Sequence, residues 1–288
     1  MTAMVDPVLG GSIPRNDPGR HSSRQGRTVR AIAFYVPTIV VFVGGLAAWE
    51  ILVGALNLQS FVLPKPSAIV AALQANWSGG RFPLMPSAVA TLQEALLGLA
   101  IGTTAGLIVA FASARWVLAR GILLPLAVGA NAVPIIAFAP LLNNWFGLSN
   151  PLSKALMAAV LVFFPVMANV IRGLVQVEPA SLELMRSYAA SEGTILRKVR
   201  IPNALPYFFT AMKIATTLSL IGAIVGEYFG GATSVLGQVI LGSASALKYD
   251  VTWAAILLGA VTGITFYLVI VAVERIVIPW HAAMRSEG

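Results

Sequence analysis

The sequence predicts an all-α membrane protein that crosses the bilayer six times. Of its 288 residues, 58% are hydrophobic and only 10% are charged, whereas soluble domains carry about 25% charged residues. A transmembrane helix needs roughly 20 mostly apolar residues. Six segments meet this requirement, and we expect them to form one transmembrane domain over residues 33–280: 33–56, 88–112, 118–140, 153–175, 205–228 and 252–277.

The first 32 residues differ in composition from the rest of the chain. They are polar and rich in Gly, Pro, Ser and Arg, which is typical of a disordered segment. A secretory signal would have a shorter apolar stretch nearer the start. We therefore interpret 33–56 as a permanent span and 1–32 as a disordered tail.

The basic residues predict the orientation. Six spans place both termini on one side of the membrane. If that side is the cytoplasm, cytoplasmic segments hold 15 of the 19 Lys and Arg residues and outer segments hold 4. This bias predicts a multi-pass protein of the plasma membrane with both termini in the cytoplasm. It also explains the net charge of +8 without a nucleic-acid partner.

The composition also restricts the chemistry. The chain has no cysteine and two histidines, which excludes disulfides and thiolate metal sites and argues against a histidine-rich site. No paired carboxylates or His and Cys groups suggest a membrane enzyme. We expect no catalytic residues, no metal and no cofactor in this chain.

Residues 172–213 form a basic, amphipathic segment between two very apolar stretches, on the predicted cytoplasmic side. Pro179 suits the first turn of a helix, and Leu182 and Met185 then share one helical face with Ala189. Gly193 is expected to interrupt this helix. Ser191 is a suitable N-cap for a second helix, with Glu192 in its first turn.

The second helix of this segment has an apolar side and a basic side. Its basic residues are Arg197, Lys198 and Arg200, and we expect Pro202 and Pro206 to end it before the next span. The segment is longer than a turn between spans requires. Two interpretations stay open from the residues alone: an amphipathic helix on anionic lipid, or a helix in the groove of a partner protein.

Three carboxylates fall within the predicted spans: Glu50, Glu94 and Glu227. Charges at membrane depth are costly and usually face protein or water. All three are expected in the outer half of the membrane, with either a structural or a pathway role, and Glu227 is the best pathway candidate. A short apolar stretch, 235–247, is expected to form a surface or re-entrant helix.

The third span contains Asn131 followed by Pro134. This pair predicts a locally broken or kinked helix, whose freed carbonyl groups need partners. Such a break can line a cavity, or Asn131 can bond to a neighbouring helix. By contrast, Gly102, Ala105, Gly106 and Ala110 are expected to let helices pack closely.

The segment 172–213 resembles the signature loop of ABC-importer permeases. That pattern is Glu-Ala-Ala, three residues, Gly, nine residues, then Ile-x-Leu-Pro. The matching positions in this sequence are Glu183, Ala189, Val199, Ile201 and Pro202. The sequence departs from the pattern at Leu184 and Met185, which replace both alanines, and at Ala189, which replaces the glycine. These changes make the first helix more apolar.

Other segments resemble the subfamily that imports nitrate, sulfonates, taurine and thiamine-pyrimidine precursors. The resemblance extends over about residues 45–280 and is carried by 61–67 (FVLPKPS), 132–140 (AVPIIAFAP), 145–147 (WFG), 163–165 (FFP) and 226–230 (GEYFG).

The resemblance implies a type I ABC-importer permease fold and several partners. A coupling loop at about 176–204 would sit in a groove of a cytoplasmic ATP-binding subunit. Two copies would form a homodimeric pore, and an extracytoplasmic binding protein would deliver the solute. ATP would be bound and hydrolysed by the partner, because this chain lacks a Gly-x-x-x-x-Gly-Lys-Ser/Thr loop.

The resemblance also implies roles for particular residues. Glu183 would pair with the ATPase, although pairing with Arg186 is the alternative. The pathway would follow the third and fifth spans, with Asn131, Pro134 and Glu227. The coupling residues would be Glu183, Arg186, Ala189, Gly193, Arg197, Lys198, Val199, Ile201 and Pro202.

The alternative function is an ion-coupled secondary transporter or a channel. Such a protein would place ionisable groups near the membrane midplane, whereas the three glutamates fall toward one boundary. The sequence does not name the substrate, because in the resembled importers specificity rests mainly with the separate binding protein.

Overall fold

We describe a computed structural model of the chain, which covers residues 24–131 and 134–279. Within these ranges every regular element is helical. The chain divides into two compact units, residues 1–52 and 53–288. Most of the predicted tail lies outside the described residues, and residues 24–32 belong to the first helix, α1 (Arg24–Ala55).

The first unit consists, in its described part, of α1 as far as Leu52. The apolar stretch Val36–Ala55 of this helix is long enough to cross a membrane and is almost entirely exposed. Val41 and Phe42, for example, are exposed hydrophobic residues, as expected for side chains whose solvent is lipid.

The second unit contains ten further α-helices among the described residues. They are α2 (Pro66–Ala75), α3 (Leu84–Arg115), α4 (Val117–Asn131), α5 (Ala139–Phe146), α6 (Pro151–Val175), α7 (Pro179–Ser187), α8 (Glu192–Ile195), α9 (Ile201–Tyr228), α10 (Leu236–Ser245) and α11 (Tyr249–Val277). A 3-10 turn (Ile135–Phe138) precedes α5, and a π-helical turn (Leu196–Arg200) joins α8 to α9.

Among the described residues, five uninterrupted helices are long and apolar enough to cross a membrane: Val36–Ala55, Leu84–Arg115, Pro151–Val175, Glu192–Tyr228 and Tyr249–Val277. The predicted third span, 118–140, is not one continuous helix. Instead, α4 ends at Asn131, Pro134 has an extended backbone, and the chain continues through the 3-10 turn into α5. Proline lacks a donor and disfavours helical geometry in the preceding residue, so the predicted break in this span is confirmed.

Helices α3, α6 and α9 form the core of the second unit. Their contacts depend on glycine, because an added Cβ at Gly98 would lie 2.6 Å from the carbonyl oxygen of Ala155. At Gly102 it would lie 2.5 Å from the Ala159 carbonyl oxygen, and at Gly222 it would lie 2.6 Å from the Ala158 Cα. Backbone approaches of this kind hold membrane helices together by van der Waals contact.

Candidate functional site

The segment 176–204 forms two helical pieces joined by a sharp turn. Helix α7 begins with Pro179 in its first turn, as predicted. It ends in a Schellman motif, in which the Ala189 N–H donates to the Arg186 carbonyl at 2.9 Å and the Ala190 N–H to the Met185 carbonyl at 3.0 Å. Ala189 has a φ of 51°, a conformation that favours glycine. The glycine of the resembled signature therefore has a structural counterpart at this turn.

The second helical piece begins where the sequence indicates. The Ser191 Oγ accepts the Thr194 N–H at 3.3 Å, and Glu192 occupies the first turn of α8. The expectation that Gly193 interrupts a helix is wrong, since Gly193 lies inside α8. The interruption falls at residues 188–191, because the left-handed backbone at Ala189 and the N-cap at Ser191 both lie there.

The helix that begins at Glu192 continues as one rod of 37 residues to Tyr228. The expectation that Pro202 and Pro206 end it is therefore wrong. The Ile201 N–H donates to the Leu196 carbonyl, which widens the turn directly before Pro202. A proline near the start of α9 removes one backbone donor but does not break the helix. The π-helical turn before it lets the helix continue without that hydrogen bond.

Asn203 connects the start of α9 to the end of α6 by hydrogen bonds, a role that the sequence did not predict. Its Nδ2 donates to the carbonyl oxygens of Gly173, at 2.7 Å, and Gln176, at 3.1 Å. These groups belong to the end of α6, where carbonyl groups lack helical partners. The signal in the sequence was a polar asparagine two residues after the start of α9. The segment is also anchored by Ile195, which is buried.

The other side of the segment is exposed. Leu184 is 55% and Tyr188 75% exposed, and their spacing of four places them on one face of α7. Glu183 and Arg186 are exposed as well, and within the described ranges they form no ion pair with each other. Arg197 and Lys198 are exposed on the second piece. The segment thus presents an apolar and charged surface on a fixed base.

A groove of about 810 Å³ lies between α7 and the start of α9. Ser181 and Met185 line it from α7, and Val199, Pro202 and Tyr207 line it from the second piece and α9. Leu184 and Met185 stand where the signature has alanines. Both side chains line this groove, and Leu184 is also exposed on the outer face of α7.

At the other end of α9, Glu227 is fully buried. Its Oε2 accepts the Gly237 N–H at 2.6 Å, and the Leu236 N–H donates to the Thr91 Oγ1 at 2.9 Å. These two groups from α9 and α3 cap the first turn of α10, which confirms the predicted short helix. A buried carboxylate at a helix N-terminus is favoured by the helix dipole.

The other candidate pathway residues lie at the broken span. Asn131 is the last residue of α4, and Pro134 precedes the 3-10 turn. Their pathway role, like that of Glu227, stays a prediction.

A second charged contact connects α9 to α11. The Lys213 Nζ lies 2.8 Å from Oε2 and 3.0 Å from Oε1 of Glu274, and both side chains are mostly buried. No local pattern predicts this pair, because the two residues lie 61 positions apart.

Long apolar helices packed through glycine, with an amphipathic segment exposed at one end, indicate a polytopic membrane protein. The chain belongs to the family of inner membrane components of binding-protein-dependent transport systems, which matches residues 102–281. The fold is that of the type I ABC-importer permeases, as the sequence predicted.

Individual relatives agree with this assignment. A probable ABC transporter permease of Haemophilus influenzae is 32% identical over 213 residues, which cover 74% of this chain and 84% of that protein. The formylaminopyrimidine transport permease ThiX of Halalkalibacterium halodurans is 29% identical, with coverages of 82% and 92%. A crystal structure of an amino acid ABC transporter superposes with a TM-score of 0.53 at 16% identity, covering 73% of this chain and 94% of that one.

More distant relatives are permeases for other solutes. They include a taurine permease of Escherichia coli, 26% identical, and a nitrate permease of Leptolyngbya laminosa, also 26% identical.

Proposed function

We propose that this chain is the membrane-spanning subunit of an ATP-driven importer and that residues 176–204 couple it to a cytoplasmic ATP-binding subunit. The observation that carries the proposal is the exposed face of this segment. Leu184 and Tyr188 lie there beside the carboxylate of Glu183, which forms no ion pair within the part of the chain that the structure describes. An apolar centre with charged groups around it is the surface that a protein partner buries. A helix lying on lipid would need no fixed base.

The same segment is continuous with a membrane-spanning helix, which could transmit a motion of the ATPase subunit. The exposed Arg197 and Lys198 lie on the same continuous helix as the membrane-spanning part of α9. A rod of 37 residues extends over roughly 55 Å at 1.5 Å per residue. A motion of the ATPase subunit would therefore reach the far end of α9 without crossing a flexible joint.

Membership of the family supports the remaining parts of the proposal. Two copies of the chain form the pore, both termini lie in the cytoplasm, and an external binding protein delivers the solute. The relatives that transport formylaminopyrimidine, taurine and nitrate support a small anionic or heterocyclic solute. ATP binding and hydrolysis occur in the partner.

The decisive test combines Glu183→Ala with Arg197→Glu and Lys198→Glu. We expect the variant to insert in the membrane but to lose both copurification of the ATPase and solute uptake. The matched control is Lys248→Glu, an exposed charge reversal at the start of α11, which should retain both activities. If the triple variant retained both ATPase association and solute uptake, the coupling proposal would be wrong.

The same assay separates the importer from an ion-coupled transporter. An importer requires the ATPase subunit for uptake, whereas an ion-coupled transporter works without it and responds to the ion gradient. Uptake by this chain alone in proteoliposomes would favour the second function.

A further inference from the structure

Three charged side chains meet inside the protein where α3, α6 and α9 approach α10. Glu227 is fully buried, Lys154 is 1% exposed and Glu94 is 6% exposed. Thr91, one helical turn before Glu94 on α3, and Glu227 on α9 both accept N–H groups from the first turn of α10, which places the two glutamates at the same site. All three charged side chains interact electrostatically there. The cluster is distinct from the predicted coupling segment, which lies at the opposite end of α9.

The lysine does not satisfy the carboxylates by hydrogen bonding. Its Nζ donates to the Asn143 Oδ1 at 3.1 Å, to the Ser153 Oγ at 3.0 Å and to the carbonyl oxygen of Leu148. An ammonium group has three protons, so these acceptors use all of them. Lys154 supplies positive charge to the cluster but no hydrogen bond to either glutamate.

Two oxygen atoms of the buried carboxylates have no hydrogen-bond donor among the described residues. Glu94 Oε2 and Glu227 Oε1 are buried and have no hydrogen-bond partner among the described residues. Two ionised carboxylates side by side offer only acceptors to each other. With both ionised, the cluster would carry one uncompensated negative charge, and an unpaired buried charge is strongly destabilising.

A single added proton would supply the missing hydrogen-bond donor and remove the uncompensated negative charge. We propose that Glu94 and Glu227 share a single proton, held on Glu94, whose O–H donates to the ionised carboxylate of Glu227. Glu227 keeps the negative charge because its Oε2 accepts the Gly237 N–H at the positive end of α10. The cluster then contains one ammonium, one carboxylate and one neutral carboxyl group, with no net charge.

The surroundings contain few other ionisable groups. Tyr228 on α9 also interacts electrostatically with Glu227, while α10 contributes the Gly237 N–H and the Gln238 side chain, which donates to the Glu227 carbonyl oxygen. The proton therefore acts on the contact that holds the first turn of α10 against α3 and α9. Loss of the proton would leave two negatively charged carboxylates beside this contact, and their repulsion would weaken the contact.

The first test is the infrared spectrum of the full-length permease in lipid nanodiscs at neutral and alkaline pH. We expect the C=O stretch of a protonated carboxyl group, and we expect Glu94→Gln to abolish it. The matched control, Glu183→Gln on the exposed face of α7, should leave the band unchanged. The absence of the band in the unsubstituted protein, or its persistence in Glu94→Gln, would overturn the proposal.

The second test is the thermal unfolding midpoint as a function of pH. The midpoint of the unsubstituted permease should fall as the pH rises, because the folded state holds a proton that the unfolded chain has released. Glu94→Gln imitates the protonated group, so it should fold and lose this pH dependence. A parallel fall in both proteins, or failure of Glu94→Gln to fold, would refute the shared proton.

Discussion

Ala189 shows how one backbone angle determines the shape of the predicted coupling segment. Its φ of 51° lets the chain leave α7 sharply, so that Ser191 can start the next helix two residues later. Hydrogen bonds from Ala189 and Ala190 close the end of α7 and hold this conformation. The strain of a left-handed alanine is thus offset by two hydrogen bonds.

Replacing Ala189 by glycine should stabilise the permease. Removing the Cβ relieves a left-handed conformation that costs alanine about 1 kcal/mol, so Ala189→Gly should raise the thermal midpoint of the solubilised protein. The matched control is Ala180→Gly, at an exposed helical position of α7, which should lower the midpoint. A lower midpoint for both variants would contradict the role of the turn.

At the scale of residues, the sequence predicts those features whose signal is local. The N-cap at Ser191 and the break before Pro134 both follow from the chemistry of one or two neighbouring residues. The role of Asn203 could not be foreseen, because its acceptors lie at the end of another helix. The effect of Pro202 on the helix could not be predicted either, because it depends on the π-helical turn before it.

At the scale of elements, α8, the π-helical turn and α9 behave as one rod from Glu192 to Tyr228. Two charged contacts position this rod, the Lys213–Glu274 pair with α11 and the Glu227–Gly237 hydrogen bond with α10. The sequence predicted the apolar part of the rod, 205–228, because hydropathy identifies residues that face lipid or protein. It did not predict the extension through the prolines.

The Lys213–Glu274 pair provides a test at this scale. Removing one partner leaves the other charge unpaired in a mostly buried site, so Lys213→Met or Glu274→Met alone should lower the free energy of unfolding by up to about 3 kcal/mol. The double variant Lys213→Met/Glu274→Met should recover most of this loss. Thermal unfolding of the three variants measures the effect.

The neighbouring Arg275→Ala serves as the control for that experiment, since Arg275 is exposed on the same helix and should change stability little. Equal losses in the single and double variants would show that the ion pair contributes nothing specific.

For the second unit as a whole, the decisive feature is the close packing of α3, α6 and α9. Gly98, Gly102 and Gly222 allow backbone contacts that leave no room for a side chain. These approaches bring Glu94, Lys154 and Glu227 together within the protein, although they are far apart in the sequence. The packing of small residues therefore creates the buried charged cluster.

Gly222→Val should destabilise the permease strongly. Its Cβ would lie 2.6 Å from the Cα of Ala158, and overpacking of this kind costs about 1–3 kcal/mol or more. Gly121→Val on α4 is the control, because no atom lies within 4 Å of the added Cβ. The yield of folded protein and its thermal midpoint should fall for Gly222→Val alone, and equal behaviour of both variants would count against the packing argument.

The sequence by itself determined the membrane class, the positions of the five long apolar helices, the signature segment and the break at Pro134. These follow from hydropathy, charge distribution and short motifs, all of which act over a few turns of chain. Only the tertiary structure decided that Glu192–Tyr228 is one rod and that Lys213 meets Glu274. It also decided that Glu94, Lys154 and Glu227 share one buried site, because such contacts depend on how closely distant helices approach.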